Sequence, residues 1–281
     1  MAEESDFSVK FWGTRGSIAC PGKAYERYGG NTSCLEVRCG GRLLIFDAGT
    51  GVRRLGHHLL SIDDSEEGIE GDLFLTHTHH DHIIGLPFFV PMFKPRNRIR
   101  LWAGHLLPDN NLHDVLCKFM APPLFPVPPK IFAANVTYHD FIAGETLEPR
   151  PGIRLRTAPL NHPNGATGYR IEYGGKALCY VTDTEQKESG RDRNIVELVS
   201  GADVMIYDCS YTEEEYPRFK GWGHSTWQEG VRICNAAGVG RLVIFHHDPS
   251  HDDDFMDQVA EAADRARPGT MVAKEGAVLQ L

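Results

Sequence analysis

The chain has 281 residues, of which 41% are hydrophobic and 24% are charged, as is typical of a globular protein. Its formal net charge of −9 argues against a broad nucleic-acid-binding face, because such faces carry an excess of basic residues. The longest apolar stretch, residues 86–93, contains two prolines and is too short to cross a bilayer. We therefore expect neither membrane insertion nor extended nucleic-acid binding, whereas a small anionic substrate is compatible with this charge.

The first third of the chain predicts three strands followed by a helix. The strands are expected at residues 8–12, 35–38 and 43–46, and the last two form a hairpin around two glycines. Asp47 ends the third strand. The helix after it has Val52, Leu55 and Leu59 on one face, which we expect to be buried.

The densest group of polar residues follows a short apolar strand at residues 73–75. It contains His77, His79, Asp81 and His82 in the pattern His-x-His-x-Asp-His, with His80 among them. Burying so many polar groups is costly unless each one is paired or bound to metal. Alternation places the first two histidines on one side and lets Asp81 face another way. We interpret the pattern as a site for two metal ions, and the alternative is a polar turn that is rich in histidine.

Residues 86–130 differ in character, because nine of the seventeen prolines lie there. Proline interrupts helices and sheets alike, so we expect a loop-rich excursion with one helix near residues 111–120. Several phenylalanines make the segment apolar. It is either a small satellite core over a sheet, or a lid or dimer contact beside the metals.

The second half of the chain alternates strands with helices. Strands are predicted at residues 153–157, 169–173, 177–181, 204–207, 242–245, 271–273 and 277–279. Ser225-Thr226-Trp227-Gln228 is a capping-box pattern that opens one helix, and a second helix covers residues 252–266. Strands followed by strand–helix alternation occur twice. This order predicts an α/β fold in four αββα layers, with two mixed sheets and helices outside, as one domain over residues 1–281.

Most of the predicted strands in this half end in a residue that can bind metal. His162, Asp183, Asp208 and His246 each follow a strand, and loops at strand ends are where scaffolds place functional groups. Each residue alone is a weak signal. Their joint placement after successive strands indicates a shared site.

The motifs together resemble a known family. His77-x-His79-x-Asp81-His82 is similar to the signature of the metallo-β-lactamase superfamily. The later residues His162, Asp183-Thr184 and Gly223-His224-Ser225-Thr226 resemble motifs of its tRNase Z branch. The resemblance covers nearly the whole chain.

This resemblance implies a set of seven ligands for two divalent ions. One ion would be held by His77, His79 and His162, the second by Asp81, His82 and His246, and both by the bridging Asp183. All seven are nitrogen or oxygen donors, which suits Zn²⁺, with Mn²⁺ or Fe as alternatives.

The resemblance also implies a reaction. A hydroxide shared by the two ions would attack phosphorus in line, and His224, kept protonated by Asp208, would donate a proton to the leaving oxygen. Asp81 is counted among the catalytic residues as well as the ligands. Asp47 would either hydrogen-bond a ligand histidine or cap the following helix. His80 and His247 have no assigned role beyond supporting a ligand or lying at the surface.

The chain differs from the tRNase Z branch in one segment, and this difference bears on the substrate class. Enzymes of the tRNase Z branch commonly carry a long arm that grips tRNA between the third and fourth ligand motifs. Here only twenty residues separate His162 from Asp183, and a hairpin fills them. The closer resemblance is therefore to small-substrate phosphodiesterases of this branch that open cyclic nucleotides and are usually homodimers. We expect a small phosphodiester substrate and a homodimer.

Other functions stay open at this point. The same fold hydrolyses carbon esters, lactones, thioesters and β-lactams, and its tRNase Z members cut RNA at the 3′ end. Diiron relatives transfer electrons, but they typically carry Glu where this chain has His79. A non-catalytic metal-binding module is a further alternative, and the complete ligand set argues against it.

The cysteines and the N-terminal residues indicate the cellular compartment of the protein. Seven cysteines are scattered without C-x-x-C spacing, at positions 20, 34, 39, 117, 179, 209 and 234. We expect free, buried thiols in a reducing compartment. Residues 1–6 are acidic and lack an apolar segment, so they do not resemble a signal peptide. A cytoplasmic protein is expected.

Overall fold

The computed structural model describes residues 6–63, 65–187 and 190–281. Over these residues it has fourteen strands, seven α-helices and four short 3₁₀ helices. The strands are β1 (Phe7–Gly13), β2 (Cys34–Cys39), β3 (Arg42–Phe46), β4 (Glu70–Leu75), β5 (Arg98–Ala103), β6 (Asn135–Asp140), β7 (Thr146–Arg150), β8 (Ile153–Leu160), β9 (Ala166–Tyr173), β10 (Lys176–Val181), β11 (Val204–Asp208), β12 (Arg241–Phe245), β13 (Met271–Val272) and β14 (Val278–Gln280). The helices are α1 (Gly51–Ile62), α2 (His80–Ile83), α3 (Leu112–Phe119), α4 (Arg193–Val199), α5 (Tyr216–Phe219), α6 (Trp227–Ala237) and α7 (Asp253–Ala266). The acidic segment at residues 1–5 lies outside the described residues.

The strands form two seven-stranded mixed sheets. The first has the order β14-β1-β2-β3-β4-β5-β6, and the second has the order β13-β12-β11-β10-β9-β8-β7. In the first sheet β3, β4, β5 and β6 run parallel to one another. In the second, β10 to β13 do so. Parallel strands end at the same edge of a sheet, and such an edge is where open α/β sheets bind ligands.

Three apolar cores separate four layers. One core lies between the two sheets and includes Phe46, Phe74 and Phe245. A second packs α1 and α3 against the outer face of the first sheet, and a third packs α4, α6 and α7 against the second sheet. The predicted αββα sandwich is therefore confirmed. None of the helices in the described ranges is long and apolar enough to cross a membrane.

The segment at residues 86–130 differs from the expectation, because it contains β5, which is paired on both sides in the first sheet. This strand pairs with β4 on one side and β6 on the other, and neither β5 nor β6 was predicted. Its sequence alternates Ile99 and Leu101, which are buried, with two arginines. The surrounding prolines concealed that alternation. The predicted helix is present as α3, and the side chain of Asn111 caps it.

The helix α6 begins one residue later than the capping pattern suggested. Its cap is Thr226, whose hydroxyl accepts a hydrogen bond from the backbone nitrogen of Glu229. The hydroxyl of Ser225 instead accepts a hydrogen bond from the buried Tyr207 side chain. This tertiary contact is absent from any local sequence pattern.

The buried carboxylate of Asp72 on β4 joins the two sheets. It accepts hydrogen bonds from Nη2 of Arg100 at 2.8 Å and from Nε1 of Trp102 at 2.9 Å, both on β5. It also accepts one from Nε of Arg150 at 2.8 Å, and Arg150 belongs to β7 of the second sheet. One side chain thus holds three strands.

We predict that Asp72→Ala lowers the free energy of unfolding by about 3 kcal/mol, because it leaves two guanidinium groups without their buried partner. Urea denaturation measures this change. Arg98→Ala is the matched control, since its 3.9 Å ion pair with Glu70 lies at the surface and such pairs contribute less than about 1 kcal/mol. Equal losses in both variants would contradict the assigned role of Asp72.

Candidate metal centre

The seven predicted ligands lie together at the edge where the parallel strands of both sheets end. The first sheet supplies residues after β4, and the second supplies residues after β8, β10 and β12. Their ligand atoms fall into two compact groups, which are His77, His79 and His162, and Asp81, His82, Asp183 and His246. The family resemblance implied the same two groups. Donor atoms of His224 also lie close to those of His162 and Asp183, and to those of Asp208 and His246.

The first group is built from three imidazoles. Nδ1 of His79 lies 3.1 Å from Nε2 of His162. Two nitrogens bound to one tetrahedral zinc ion are separated by about 3.4 Å, given bonds of about 2.1 Å. Nε2 of the buried His77 has no hydrogen-bond partner, although it lies 3.8 Å from Oδ1 of Asp183. The group therefore has the spacing of a shared metal site.

The second group surrounds the carboxylate of Asp81. Its Oδ2 lies 3.2 Å from Nε2 of His82 and 3.3 Å from Nε2 of His246. The same oxygen accepts a hydrogen bond from the backbone nitrogen of Ser17 at 2.8 Å. Asp81 and His82 both lie in α2. The chain therefore becomes helical immediately after His79 and does not continue the strand-like alternation that the sequence predicted.

Asp183 lies between the two groups. Its Oδ1 is 3.7 Å from Nε2 of His162 and its Oδ2 is 3.2 Å from Nε2 of His82. Nε2 of His246 lies 3.4 Å from the same Oδ2. Each oxygen of one fully buried carboxylate thus faces a different group, which is the arrangement required of a ligand shared by two ions.

Hydrogen bonds from the far side of each ring fix the tautomers. Nδ1 of His82 lies 2.8 Å from Oδ2 of Asp47, and Nδ1 of His162 lies 2.8 Å from the carbonyl oxygen of Gly223. These acceptors require a hydrogen on Nδ1, so the lone pair of each ring is on Nε2 and points into the centre. The expected contact between Asp47 and a ligand histidine is confirmed, whereas Thr50, not Asp47, precedes the first turn of α1.

His246 is oriented in the same way through a serine. Nδ1 of His246 lies 3.0 Å from Oγ of Ser210, and that hydroxyl donates to Oδ1 of Asp208 at 2.7 Å. The serine lone pair is then free to accept from Nδ1, which again leaves Nε2 of His246 directed at the centre. Ser210 was not predicted, because its role depends on the contact between β11 and β12.

His224 lies against the ligand groups and pairs with a buried acid. Its Nδ1 is 2.9 Å from Oδ2 of Asp208, and its ring stacks on that of His246. Burial lowers the pKa of His224, but the charge and hydrogen bond of Asp208 outweigh burial and raise the pKa to about 9. A protonated histidine can donate a proton from its ring nitrogen.

Strained backbone surrounds the centre. Among the described residues, five that are not glycine have φ between 59° and 66°, and these are Ser17, Asp47, Asn164, Asp183 and His246. Such conformations cost energy and persist where surrounding contacts enforce them, commonly at functional sites. Four of the five contact or form the ligand groups through their side chains, and the exception is Ser17. Asp47 and His246 directly follow β3 and β12, and Asp183 follows β10 after one residue, so the left-handed backbone changes the chain direction where these strands end.

Close packing also explains one glycine of the loop after β1. A Cβ atom on Gly16 would lie 2.3 Å from Cε1 of His246, so any side chain at this position would displace the imidazole. The loop therefore lies directly over the second group.

A divalent metal fits this donor set. The facing imidazole lone pairs, the Nε2 atoms of His77 and His82 without hydrogen-bond partners, and the carboxylates beside them would repel or remain unsatisfied without a cation. Nitrogen and oxygen donors without thiolate suit zinc, manganese or iron.

Comparison with known proteins decides the family. The Beta-lactamase superfamily domain matches residues 42–247, which include the whole centre. The chain belongs to the β-lactamase superfamily. It is a metal-dependent hydrolase with a tRNase Z-like metallo-β-lactamase fold, as the sequence predicted.

Individual relatives agree with this assignment. Ribonuclease Z of Haloarcula marismortui is 23% identical, and the match covers 95% of this chain and 94% of that protein. The crystal structure of human tRNase Z, short form, superposes with a TM-score of 0.68 at 18% identity and covers 97% of this chain and 98% of its own. A diphosphatase of the PhnP family gives a TM-score of 0.70 at 20% identity, with 98% of both chains covered.

Three further histidines of this β-lactamase superfamily member lie in different environments. His80 is exposed. His247 is buried and lies 2.9 Å from the carbonyl oxygen of Ala273 through Nε2, so it belongs to the protein interior. His105 was missed together with β5, which it follows, and its Nε2 lies 3.2 Å from Oγ1 of Thr78. Its ring is 6.4 Å from that of His77.

We predict that Asp183→Ala removes most of the bound metal, because this carboxylate faces both groups. Elemental analysis of protein purified without chelator measures the content. The control is His80→Ala, which removes a neighbouring exposed imidazole and is expected to leave the metal content unchanged. If both variants retain equal amounts of metal, the assignment of Asp183 to the two groups is wrong.

Proposed function

We propose that this enzyme hydrolyses a phosphodiester bond in a small substrate, such as a cyclic nucleotide. The observation that carries the proposal is the Asp208–His224 pair, whose 2.9 Å contact lies beside both ligand groups. A phosphodiester with an alkoxide leaving group reacts slowly unless that oxygen is protonated, so a dedicated acid is most useful there. Hydrolysis of a carbon ester, lactone or thioester on the same fold gains less from such an acid.

The proposed metal assignment follows the two groups. His77, His79 and His162 would hold one ion, Asp81, His82 and His246 would hold the other, and Asp183 would hold both. Zinc is the proposed ion, with manganese or iron as alternatives. Two bound ions would supply positive charge that polarises a phosphoryl oxygen and acidifies water. Asp81 is also proposed as a catalytic residue, because it belongs to the second ligand group.

The protein's own residues provide the proton transfer. Asp208 accepts from Nδ1 of His224 and keeps the imidazole both oriented and charged. The other ring nitrogen then carries the proton that is given to the leaving oxygen as its bond to phosphorus breaks. Oδ1 of Asp208 is held by Ser210, and Oδ2 also accepts from the backbone nitrogen of Thr184. The acid is therefore fixed in position before a substrate binds.

The size of the substrate is proposed from the segment between His162 and Asp183. It consists of β9 and β10, joined by a tight turn at Gly174 and Gly175, where tRNase Z enzymes commonly carry a tRNA-gripping arm. The net charge of −9 also disfavours a long RNA backbone. A second candidate is RNA 3′-end endonuclease activity, which is favoured by relatives named Ribonuclease Z.

A homodimer and a reducing, cytoplasmic location complete the proposal. Exposed apolar side chains cluster in the segment at residues 86–130, among them Phe88 and Leu124, and this segment would serve as a dimer contact or lid. All seven cysteines are free, and six of them are buried. Free thiols support a reducing compartment.

The substrate class is tested by direct comparison. We predict measurable cleavage of bis-p-nitrophenyl phosphate and of cyclic nucleotides, with poor processing of precursor tRNA, because the arm is replaced by a hairpin. A lactone and a thioester serve as controls for ester hydrolysis. Efficient tRNA 3′-end processing without activity on cyclic nucleotides would instead establish the endonuclease function.

The role of His224 is tested with two leaving groups. We predict that His224→Ala lowers the rate by about 10²–10⁴-fold on a substrate with an alkoxide leaving group, and much less with p-nitrophenolate, which leaves without protonation. Asp208→Asn should show the same selectivity in weaker form.

Metal analysis separates this role from that of a ligand. Both variants are expected to retain the metal content of the parent enzyme. A uniform rate loss on both substrates with metal retained would make His224 a phosphate-binding residue. Loss of metal would place it among the ligands.

A further inference from the structure

A large aromatic side chain is exposed two residues before the proposed acid in the chain. Trp222 is 62% exposed, although an indole ring loses favourable burial energy when it faces water. It precedes Gly223 and His224 directly in the sequence. Two residues of extended chain span at most about 7 Å, so the backbone of Trp222 lies close to the centre.

The turn that carries this tryptophan is held in place on both sides. The carboxylate of Glu185 accepts a hydrogen bond from the backbone nitrogen of Gly221 at 2.8 Å and from that of Gly223 at 2.9 Å. It also accepts from the hydroxyl of Tyr216 at 2.9 Å. The exposure of the indole therefore does not arise from a loosely held loop, because one acidic side chain fixes the residues before and after it.

The same turn is connected to the centre by two further contacts. The carbonyl oxygen of Gly223 accepts the hydrogen bond from Nδ1 of the ligand His162. Aromatic rings form a continuous series from Trp222 through Phe219 and Tyr211 to His224, with centroid distances of 5.5, 4.4 and 6.1 Å. The rings of Phe219 and Trp222 pack in a T-shaped contact with an angle of 80° between their planes. This contact fixes the orientation of the indole.

We propose that Trp222 is the stacking platform for the nucleobase of the substrate, so that nucleotides are preferred over phosphodiesters without a base. This inference rests on the proposed function and deepens it. In a nucleotide, a single ribose separates the phosphate from the base, so a base can reach a ring that lies beside the residue acting on the phosphate. An indole binds any base through its π face, and it needs no basic groove, in keeping with the acidic net charge of this chain.

The test compares substrates that differ only in the base. Adenosine 2′,3′-cyclic phosphate is matched with the corresponding cyclic phosphate of 1-O-methylribose. For Trp222→Ala we expect kcat/KM to fall about tenfold on the adenosine substrate, mainly through KM, and less than about twofold on the base-free one. Trp222→Phe should recover most of the loss, because it restores an aromatic face.

The control variant is Ile62→Ala. Ile62 is also apolar and 56% exposed, but it lies at the end of α1 that is remote from the centre, so both substrates should react as with the parent. Equal losses of Trp222→Ala on both substrates would overturn the proposal. So would dissociation of a dimer in this variant, which would make Trp222 an interface residue. Failure of the parent enzyme on every phosphodiester would refute the proposed function itself.

A binding measurement tests the platform without turnover. The chain has four tryptophans, and we expect adenosine 5′-monophosphate to quench the fluorescence of the parent more than ribose 5-phosphate does. This difference should disappear in Trp222→Phe and persist in Ile62→Ala. Quenching that is equal for the two ligands, or that survives in Trp222→Phe, would show that the base does not stack on Trp222, whatever the enzyme hydrolyses.

Discussion

The carboxylate of Asp183 is the contact on which the arrangement of the centre depends. It is buried and faces imidazoles of both ligand groups, with its two oxygens directed to different groups. A buried charge of this kind is stable only when it is matched by opposite charge and hydrogen bonds. The two sheets therefore have to meet in one register at this edge, since residues from both sheets supply the partners.

Hydrogen bonds from neighbouring residues hold the proposed ligands in position. Asp47 holds His82 and also accepts hydrogen bonds from Thr76 and Tyr180, which links β3, β4 and β10 in one buried network. Ser210 connects His246 to Asp208. The proposed acid and the proposed second metal group thus share one hydrogen-bonded chain, which helps to hold both in position.

Two segments outside the ligand residues bear on the proposed substrate choice. A hairpin occupies the segment where tRNase Z enzymes commonly carry an arm, and a turn held by Glu185 presents Trp222 beside His224. The turn with Trp222 precedes His224 directly in the chain, whereas the β9–β10 turn lies at the end of β10 opposite to Asp183. The ligand residues themselves come from strand ends. Substrate choice can therefore change without any change in the metal-binding residues, because loops contribute little to the core that positions those residues.

The amino-acid sequence by itself determined the fold class and the candidate ligands. Clustered donors such as His77, His79 and His82 lie within one short motif, and each later donor follows an apolar run that is readable as a strand. Only the tertiary structure decided which supporting residues join them. Ser17, Ser210 and His105 reach the centre because their strands are neighbours in a sheet or face each other across it, and sheet order is not encoded in local periodicity. The strand β5 was missed for a related reason, since its Arg100 is paired with Asp72 on the adjacent strand, a partner that no local pattern reveals.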